Sequence, residues 1–251
     1  MSGNPTNQKF NRYEFKYLLN QQLTKAVEQE IQYFMDFDPF IANIPEKKYF
    51  VRSLYFDDPF YTAFHDKIDG IKARFKFRVR NYQPLAEQDS PMYLEMKGRY
   101  NNFVLKERVL VPDETKKLLL HGHQDRFIKN MIADIGNNTV KEHFCFEVFK
   151  KNINPKVWVD YLRRPYVSKF DYAFRLTFDT DLRAHEGGNP YLGRPERTRR
   201  VYPGYTILEI KFAKNIPGWF HRIIKNYQLK RVSVSKYCAC IDKMGSADMT
   251  A

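Results

Sequence analysis

The sequence predicts an α+β fold: a closed barrel of about eight strands, turned inside out so that charged faces line a water-filled tunnel and apolar faces carry the helices. Three observations lead there. Strand-like alternation recurs in about eight segments of the 251-residue chain, helical patterning is confined to a few places, and the strand charges repeatedly fall on one face beside Phe, Tyr, Leu, Ile and Val.

Taken in order, "RYEFKYLL" alternates with period two, so Glu14 and Lys16 share a face. Gln21 to Met35 follows with Leu23, Val27, Ile31 and Phe34 on one side, the stripe of an amphipathic helix. "YFVRSLYFD" and "IKARFKFRVRNY" are the next strands. In the second, Lys72, Arg74, Lys76, Arg78 and Arg80 project to one side and Ala73, Phe75, Phe77 and Val79 to the other. Five like charges on one strand face repel one another and call for an anion over them. "PMYLEMKGR" pairs Glu95 with Lys97, and "NFVLKERVLV" pairs Lys106 with Arg108.

A helical region runs from about Asp113 to Asp134, with "HGH" at 121 to 123 in a helix-ending turn, where a surface role fits better than metal ligation. "KVWVDYLRR", "FRLTFDTDL" and "YTILEIKF" complete the strands, the last two placing Arg175, Thr177 and Asp179, and Glu209 with Lys211, on shared faces. Two helical segments close the chain. Pro217 opens the first, which Trp219, Phe220, Ile223, Ile224 and Tyr227 make apolar on one side. The loosest stretch, Leu182 to Tyr202, bridges two strands. Its Arg194, Arg197, Arg199 and Arg200 could steer a polyanion, although a solvated loop is the stronger reading.

For a single strand, a charged face turned to bulk water explains the pattern as well as a lumen does. Over six strands that explanation weakens, because solvent faces mix Ser, Thr and Gln with their charges. A barrel of about eight strands holds one small ligand in its lumen.

Composition bounds the rest. A formal charge of +13 and 43% apolar content describe a globular chain with a polyanionic partner: nucleic acid, an acidic membrane surface or a phosphorylated small molecule. Three cysteines (Cys145, Cys238, Cys240) do not make a disulfide framework, and Cys238 and Cys240 read as helix-packing residues. No run reaches the roughly 20 apolar residues of a membrane span, and the first eight residues lack signal-peptide character. The expectation is a soluble, cytoplasmic protein: one domain over residues 10–243, with disordered ends at 1–9 and 244–251.

The stretches "RYEFKY", "VRSLYFD", "KFRVRNY", "YLEMKGRYNNFVLKERV", "VDYLRR", "FRLTFDT", "LEIKF" and "SVSKY", in this order, resemble the VTC domain of polyphosphate polymerases, a branch of the triphosphate tunnel metalloenzymes with a CYTH-like fold. The resemblance spans about Arg12 to Tyr237. It implies a tunnel of eight antiparallel strands that grips ATP and inorganic polyphosphate or triphosphate, transfers the γ-phosphoryl group to a growing chain and releases ADP. The implied tunnel cations are Lys16, Arg52, Arg74, Lys76, Arg78, Arg80, Lys97, Lys106, Arg108, Arg163, Arg175, Lys211 and Lys236. Arg78, Arg80, Lys97, Arg175 and Lys211 are the expected catalytic set, and Tyr161 and Ser235 are candidate phosphate donors. Glu209 falls at the metal-binding glutamate of the branch, for Mn²⁺ or Mg²⁺, with Glu14 and Glu95 as second-rank metal candidates.

One departure separates this chain from the wider superfamily. Where relatives open with Glu-x-Glu-x-Lys, "RYEFK" places Arg12 at the first glutamate. One carboxylate fewer disfavours a two-metal hydrolytic site. A tripolyphosphatase and a non-catalytic polyphosphate-binding module stay open as alternatives. A single-strand nucleic-acid binder fits poorly, since Phe75 and Phe77 lie on the face opposite the cations, so stacking and charge are separated. A separate membrane protein is the expected partner if synthesis is coupled to translocation.

Overall fold

The computed structural model describes residues 13–83, 90–100, 103–187 and 198–246, with backbone alone at 103 and 104. Its strands are β1 (Tyr13–Asn20), β2 (Met35–Phe37), β3 (Tyr49–Asp57), β4 (Ala73–Asn81), β5 (Tyr93–Tyr100), β6 (Phe103–Leu110), β7 (Asn154–Ser168), β8 (Arg175–Glu186), β9 (Arg199–Arg200) and β10 (Tyr205–Phe212). Its helices are α1 (Gln21–Ile31), α2 (Thr62–Ile68), α3 (Asp113–Leu120), α4 (Gln124–Ala133), α5 (Thr139–Lys151), α6 (Gly218–Asn226) and α7 (Lys236–Met244).

All the strands join one antiparallel sheet in the order β1-β10-β8-β7-β3-β4-β5-β6, with β2 added on β7 and β9 on β8. The eight long strands are those expected. The expected closure is not found: among the described residues β1 and β6 share no ladder, so the sheet is curled and open along one seam. A Lys97–Glu14 ion pair of 3.4 Å ties β5 to β1 across the curl.

Strand alternation divides the sheet into two faces. On the convex side, Leu54, Phe56, Phe77, Val79, Leu94, Met96 and Trp158 meet Leu119, Phe127, Met131, Val140 and Phe144 of α3, α4 and α5. Tyr17, Leu19, Leu176, Phe178, Leu208 and Ile210 meet Val27 and Ile31 of α1 and Phe220 and Ile223 of α6. Each such fully buried side chain contributes about 1.5–3 kcal/mol. This is the inside-out arrangement anticipated above, with one correction: α7 does not pack outside. It lies in the concavity, where Tyr237, Cys238, Cys240 and Ile241 cover Val51, Val157, Val159, Leu182, Ala184 and Ile207.

Local chemistry sets the helix limits. Asn20 accepts the Leu23 N–H to start α1, which ends at Ile31, so that Met35 joins a strand instead of the helix expected there. Asn138 accepts the Val140 and Lys141 N–H groups at the start of α5, and Asn152 stops the helix in the left-handed conformation. Ser235 caps α7 and Gly245, at φ 68°, ends it. Among the described residues no helix is long and apolar enough to cross a membrane.

Candidate active site: the charged half of a curled sheet

The concave face has two halves. One is the apolar floor beneath α7. The other is left bare and carries Glu14 and Lys16 from β1, Glu209 and Lys211 from β10, and Arg175, Thr177 and Asp179 from β8. To these are added Tyr161 and Arg163 from β7, Ser53 and Tyr55 from β3, Lys76, Arg78 and Arg80 from β4, Glu95 and Lys97 from β5, and Lys106 and Arg108 from β6. Lys236 joins them from the first residue of α7. Basic side chains outnumber carboxylates here by roughly three to one, so the carboxylates organise the cations without neutralising them.

Three anionic nodes do the organising. Glu95, 0% exposed, accepts Arg78 Nε at 2.8 Å and Nη2 at 2.6 Å on one oxygen, with Arg80 at 3.7 Å and Lys106 at 3.3 Å. Burial would raise its pKa, but Arg78, Arg80 and Lys106 hold it far below the ordinary carboxylate range. Asp179 accepts Arg163 Nε and Nη2, both at 2.7 Å, and Lys236 at 2.6 Å. The third node joins two carboxylates: Lys16 lies 3.0 Å from Glu14 and 3.7 Å from Glu209, Lys211 is 2.9 Å from Glu209, and Lys97 is 3.4 Å from Glu14. Burial and the Glu209 charge would raise the Glu14 pKa, yet Lys16, Lys97 and Lys211 bring it down to about 2. Glu209 is likewise depressed by Lys211, Lys16, Lys236 and Arg163 against its burial.

Other cations are less fully engaged: among the described residues Lys76, Arg74, Arg108 and Arg175 have no carboxylate within ion-pair distance, and Arg80 has only its 3.7 Å approach to Glu95. Lys76 reaches only Cys238 Sγ, at 3.4 Å, and lies over the Tyr237 ring. Arg80 donates to Ser53 Oγ at 3.1 Å and Tyr161 Oη at 3.4 Å, in addition to its longer approach to Glu95. Arg74 donates to the Ile71 carbonyl, and Arg108 lies over the Tyr93 ring at 4.7 Å. Arg175 stands exposed at the rim where β8 begins. Ser235 accepts the Cys238 N–H as the cap of α7, so its hydroxyl already has a structural duty.

One expected site residue is placed differently. Arg52 is on the convex face: it shares parity with Leu54 and Phe56, and its guanidinium forks onto Asp160 at 2.9 and 2.6 Å beside His185, on the opposite side of β3 from Ser53 and Tyr55. It belongs to a buried structural pair and not to the cradle. Glu95 lies in the cradle as expected and is held by Arg78, Arg80 and Lys106, which makes it a counter-ion there; its Oε1 accepts no hydrogen bond among the described residues. Arg12, Arg194 and Arg197 lie outside the described residues; Arg199 and Arg200 sit in β9 beside α7, where Arg199 donates to the Lys243 carbonyl at 3.2 Å, at the apolar end of the concavity.

Lys67, on α2, was not legible as a site residue. It donates to Ser233 Oγ at 2.9 Å, and its pKa is lowered by burial and by Arg74, Lys76 and Lys16, which places it in the same field. A seven-residue helix entered through a left-handed Tyr61 gives no periodic signal in the sequence.

For a divalent metal, Glu209 and Glu14 are the available carboxylates, sharing Lys16 across the paired strands. Among the described residues no group of three or more His, Cys, Asp or Glu could hold an ion by itself. Two hard oxygen donors on neighbouring strands would fit Mg²⁺ or Mn²⁺, whose remaining positions are ordinarily taken by phosphate and water.

Lys106 is half-exposed at the seam, and burial and the cations Arg78 and Arg80 bring its pKa to about 8 despite Glu95. A bound phosphate chain raises that value, so binding takes up a proton wherever free Lys106 is neutral. For a polyanionic ligand such as tripolyphosphate, the expected affinity is then full below about pH 8 and falls as pH rises above it. Calorimetric titration from pH 7 to 9.5 checks this against Lys106→Arg, which keeps its charge and flattens the dependence attributable to this residue.

A candidate adenylate cyclase from Bacillus halodurans has a similar fold: TM-score 0.50, 12% identity, 90% of this chain and 95% of that chain covered. No curated protein matches the sequence. The profile of the VTC domain matches residues 11–245, nearly the whole chain, and the chain belongs to the VTC domain family.

Proposed function

We propose that the protein is a metal-dependent polyphosphate polymerase that transfers the γ-phosphoryl group of ATP to the end of an inorganic polyphosphate chain. The observation that carries this reading is the bare half of the concave face, where cations exceed carboxylates roughly threefold and several have no acidic partner. VTC family membership supports the choice of phosphoryl chemistry.

Phosphoryl transfer asks mainly for positioning and for neutralisation of charge on non-bridging oxygens. Arg78 and Arg80 offer planar forks to those oxygens, and Lys76, Lys97, Lys211 and Lys236 offer point charges. Arg175 receives the outer phosphates at the rim. Glu209, with Glu14, holds Mn²⁺ or Mg²⁺, which when bound supplies Lewis-acid neutralisation of phosphate oxygens. The terminal oxygen of the chain, anionic near neutral pH, attacks the γ-phosphorus; the bond to the β–γ bridging oxygen breaks, and ADP leaves with that electron pair. No protein base is needed. With α7 filling the other half of the concavity, the growing chain leaves by the mouth near Lys97 and Lys106, and not past the β9 arginines.

That same filling favours a second reading, inorganic tripolyphosphatase, because a shortened cradle suits a short phosphate chain. Incubation with ATP and Mn²⁺, and separately with tripolyphosphate and Mn²⁺, separates the two. Polyphosphate chains together with ADP support the polymerase, and phosphate release from tripolyphosphate without chains supports the hydrolase. Tight polyphosphate binding with no turnover leaves a binding module.

A further inference from the structure

The Tyr55 hydroxyl is a polar group of the cradle that the scheme above does not use. Tyr55 is 8% exposed and projects from β3 to the concave side with Ser53. Its ring stacks on Tyr237 of α7, with centroids 5.1 Å apart at 30°, so the hydroxyl is held in place by packing. Tyr55 Oη accepts a hydrogen bond from Arg78 Nη1 at 2.7 Å.

A phenol both donates and accepts. Here the accepting side is used, while among the described residues no protein oxygen or nitrogen receives the proton. The surroundings say what kind of acceptor is missing. Arg78 touches the phenol oxygen, and the charges of Arg80 and Lys236 also act on the phenol, which in turn acts on Lys16 and Lys76, so the hydroxyl lies in the field of cations from β1, β4 and α7. The carboxylates that face these cations, Glu95, Asp179, Glu14 and Glu209, are each already held by arginine or lysine. A donor that lacks an acceptor, at the focus of cations that gather a polyanion, matches a non-bridging phosphate oxygen.

We propose that Tyr55 contacts the substrate directly, its O–H donating to a non-bridging oxygen of the inorganic phosphate chain while Arg78 holds the phenol oxygen from behind. No proton is transferred; the hydrogen bond positions the chain. The inference rests on the phosphate-binding reading of the cradle. Because the donor is neutral, its contribution is short-ranged and insensitive to salt, unlike that of the surrounding lysines.

Tyr55→Phe removes one oxygen and keeps the ring stack. Tripolyphosphate is titrated calorimetrically into the wild type, Tyr55→Phe and Arg80→Ala at low and high salt. The expected result is an unliganded melting temperature within about 2 °C of wild type and a Kd about tenfold weaker, by the same factor at both salt concentrations. Tyrosinate absorbance is a second readout: the tyrosine that titrates first in the wild type moves to higher pH when tripolyphosphate is added, and its transition is missing from Tyr55→Phe. Unchanged tripolyphosphate affinity in Tyr55→Phe, alongside loss in Arg80→Ala, overturns the proposal and leaves the phosphate site standing. A wild type that does not bind tripolyphosphate overturns both. Should Tyr55→Phe fail to fold, the wild-type absorbance decides, and a first-titrating tyrosine unmoved by tripolyphosphate overturns the proposal.

Discussion

Glu95→Gln lowers the melting temperature by on the order of 10 °C. Glu95 is fully enclosed and balances Arg78, Arg80 and Lys106, and breaking a buried ionic node by removing one partner typically costs about 3–5 kcal/mol. For a chain of this size each kcal/mol moves the midpoint by about 2–4 °C. Because the folded-state pKa of Glu95 is depressed, its stabilisation is present in full above the ordinary carboxylate range and is lost as pH falls through the folded value. The gap between the two proteins therefore closes in strong acid. Tripolyphosphate raises the midpoint of the variant more than that of the wild type, since phosphate oxygens stand in for the missing carboxylate. Thermal unfolding with and without tripolyphosphate checks both statements; equal midpoints would mean that the three cations do not depend on Glu95.

Glu209→Gln abolishes metal-dependent product formation, by about a hundredfold or more, the range found when a group that stabilises transition-state charge is removed. Binding moves the other way. Glu209 is 5% exposed and carries a negative charge beside Lys16 and Lys211, so neutralising it makes the cradle more positive. In the presence of a chelator the variant binds tripolyphosphate roughly tenfold more tightly, as expected for one charge at close range and intermediate dielectric. Glu209→Asp keeps the charge and separates this effect from any loss of fold. Turnover assays with Mn²⁺ and calorimetry in chelator read the two quantities; a Glu209→Gln protein that still turns over at the wild-type rate removes the residue from the metal site.

The eight long strands were legible because period-two alternation survives whichever face is buried. The concave positions of Lys16, Arg78, Arg80, Lys97 and Lys211 followed from parity alone. Arg52, which only the resemblance placed among the tunnel cations, shares its face with Leu54 and Phe56, both packing residues, whereas Ser53 and Tyr55 face the cations. α5 was missed because its apolar residues run all round the helix, with Phe144 and Cys145 buried and Phe146 and Phe149 exposed, leaving no stripe to detect. The seat of α7 inside the curl was hidden for a tertiary reason. Ile207, Val157 and Val159 look like ordinary strand residues, and only the assembled sheet shows that they form an apolar floor beside a charged one. Closure is not legible in a pattern of charged faces, because neither that pattern nor strand number fixes the stagger that makes the first and last strands meet.

The account stands on the charged half of the concave face being a phosphate-chain site, and calorimetric titration of tripolyphosphate against a single-stranded oligonucleotide at matched ionic strength tests that most directly. The account predicts that tripolyphosphate binds and that Arg80→Ala, deep in the cradle, loses most of the affinity, with the oligonucleotide far weaker. Tight oligonucleotide binding with no heat from tripolyphosphate would contradict it.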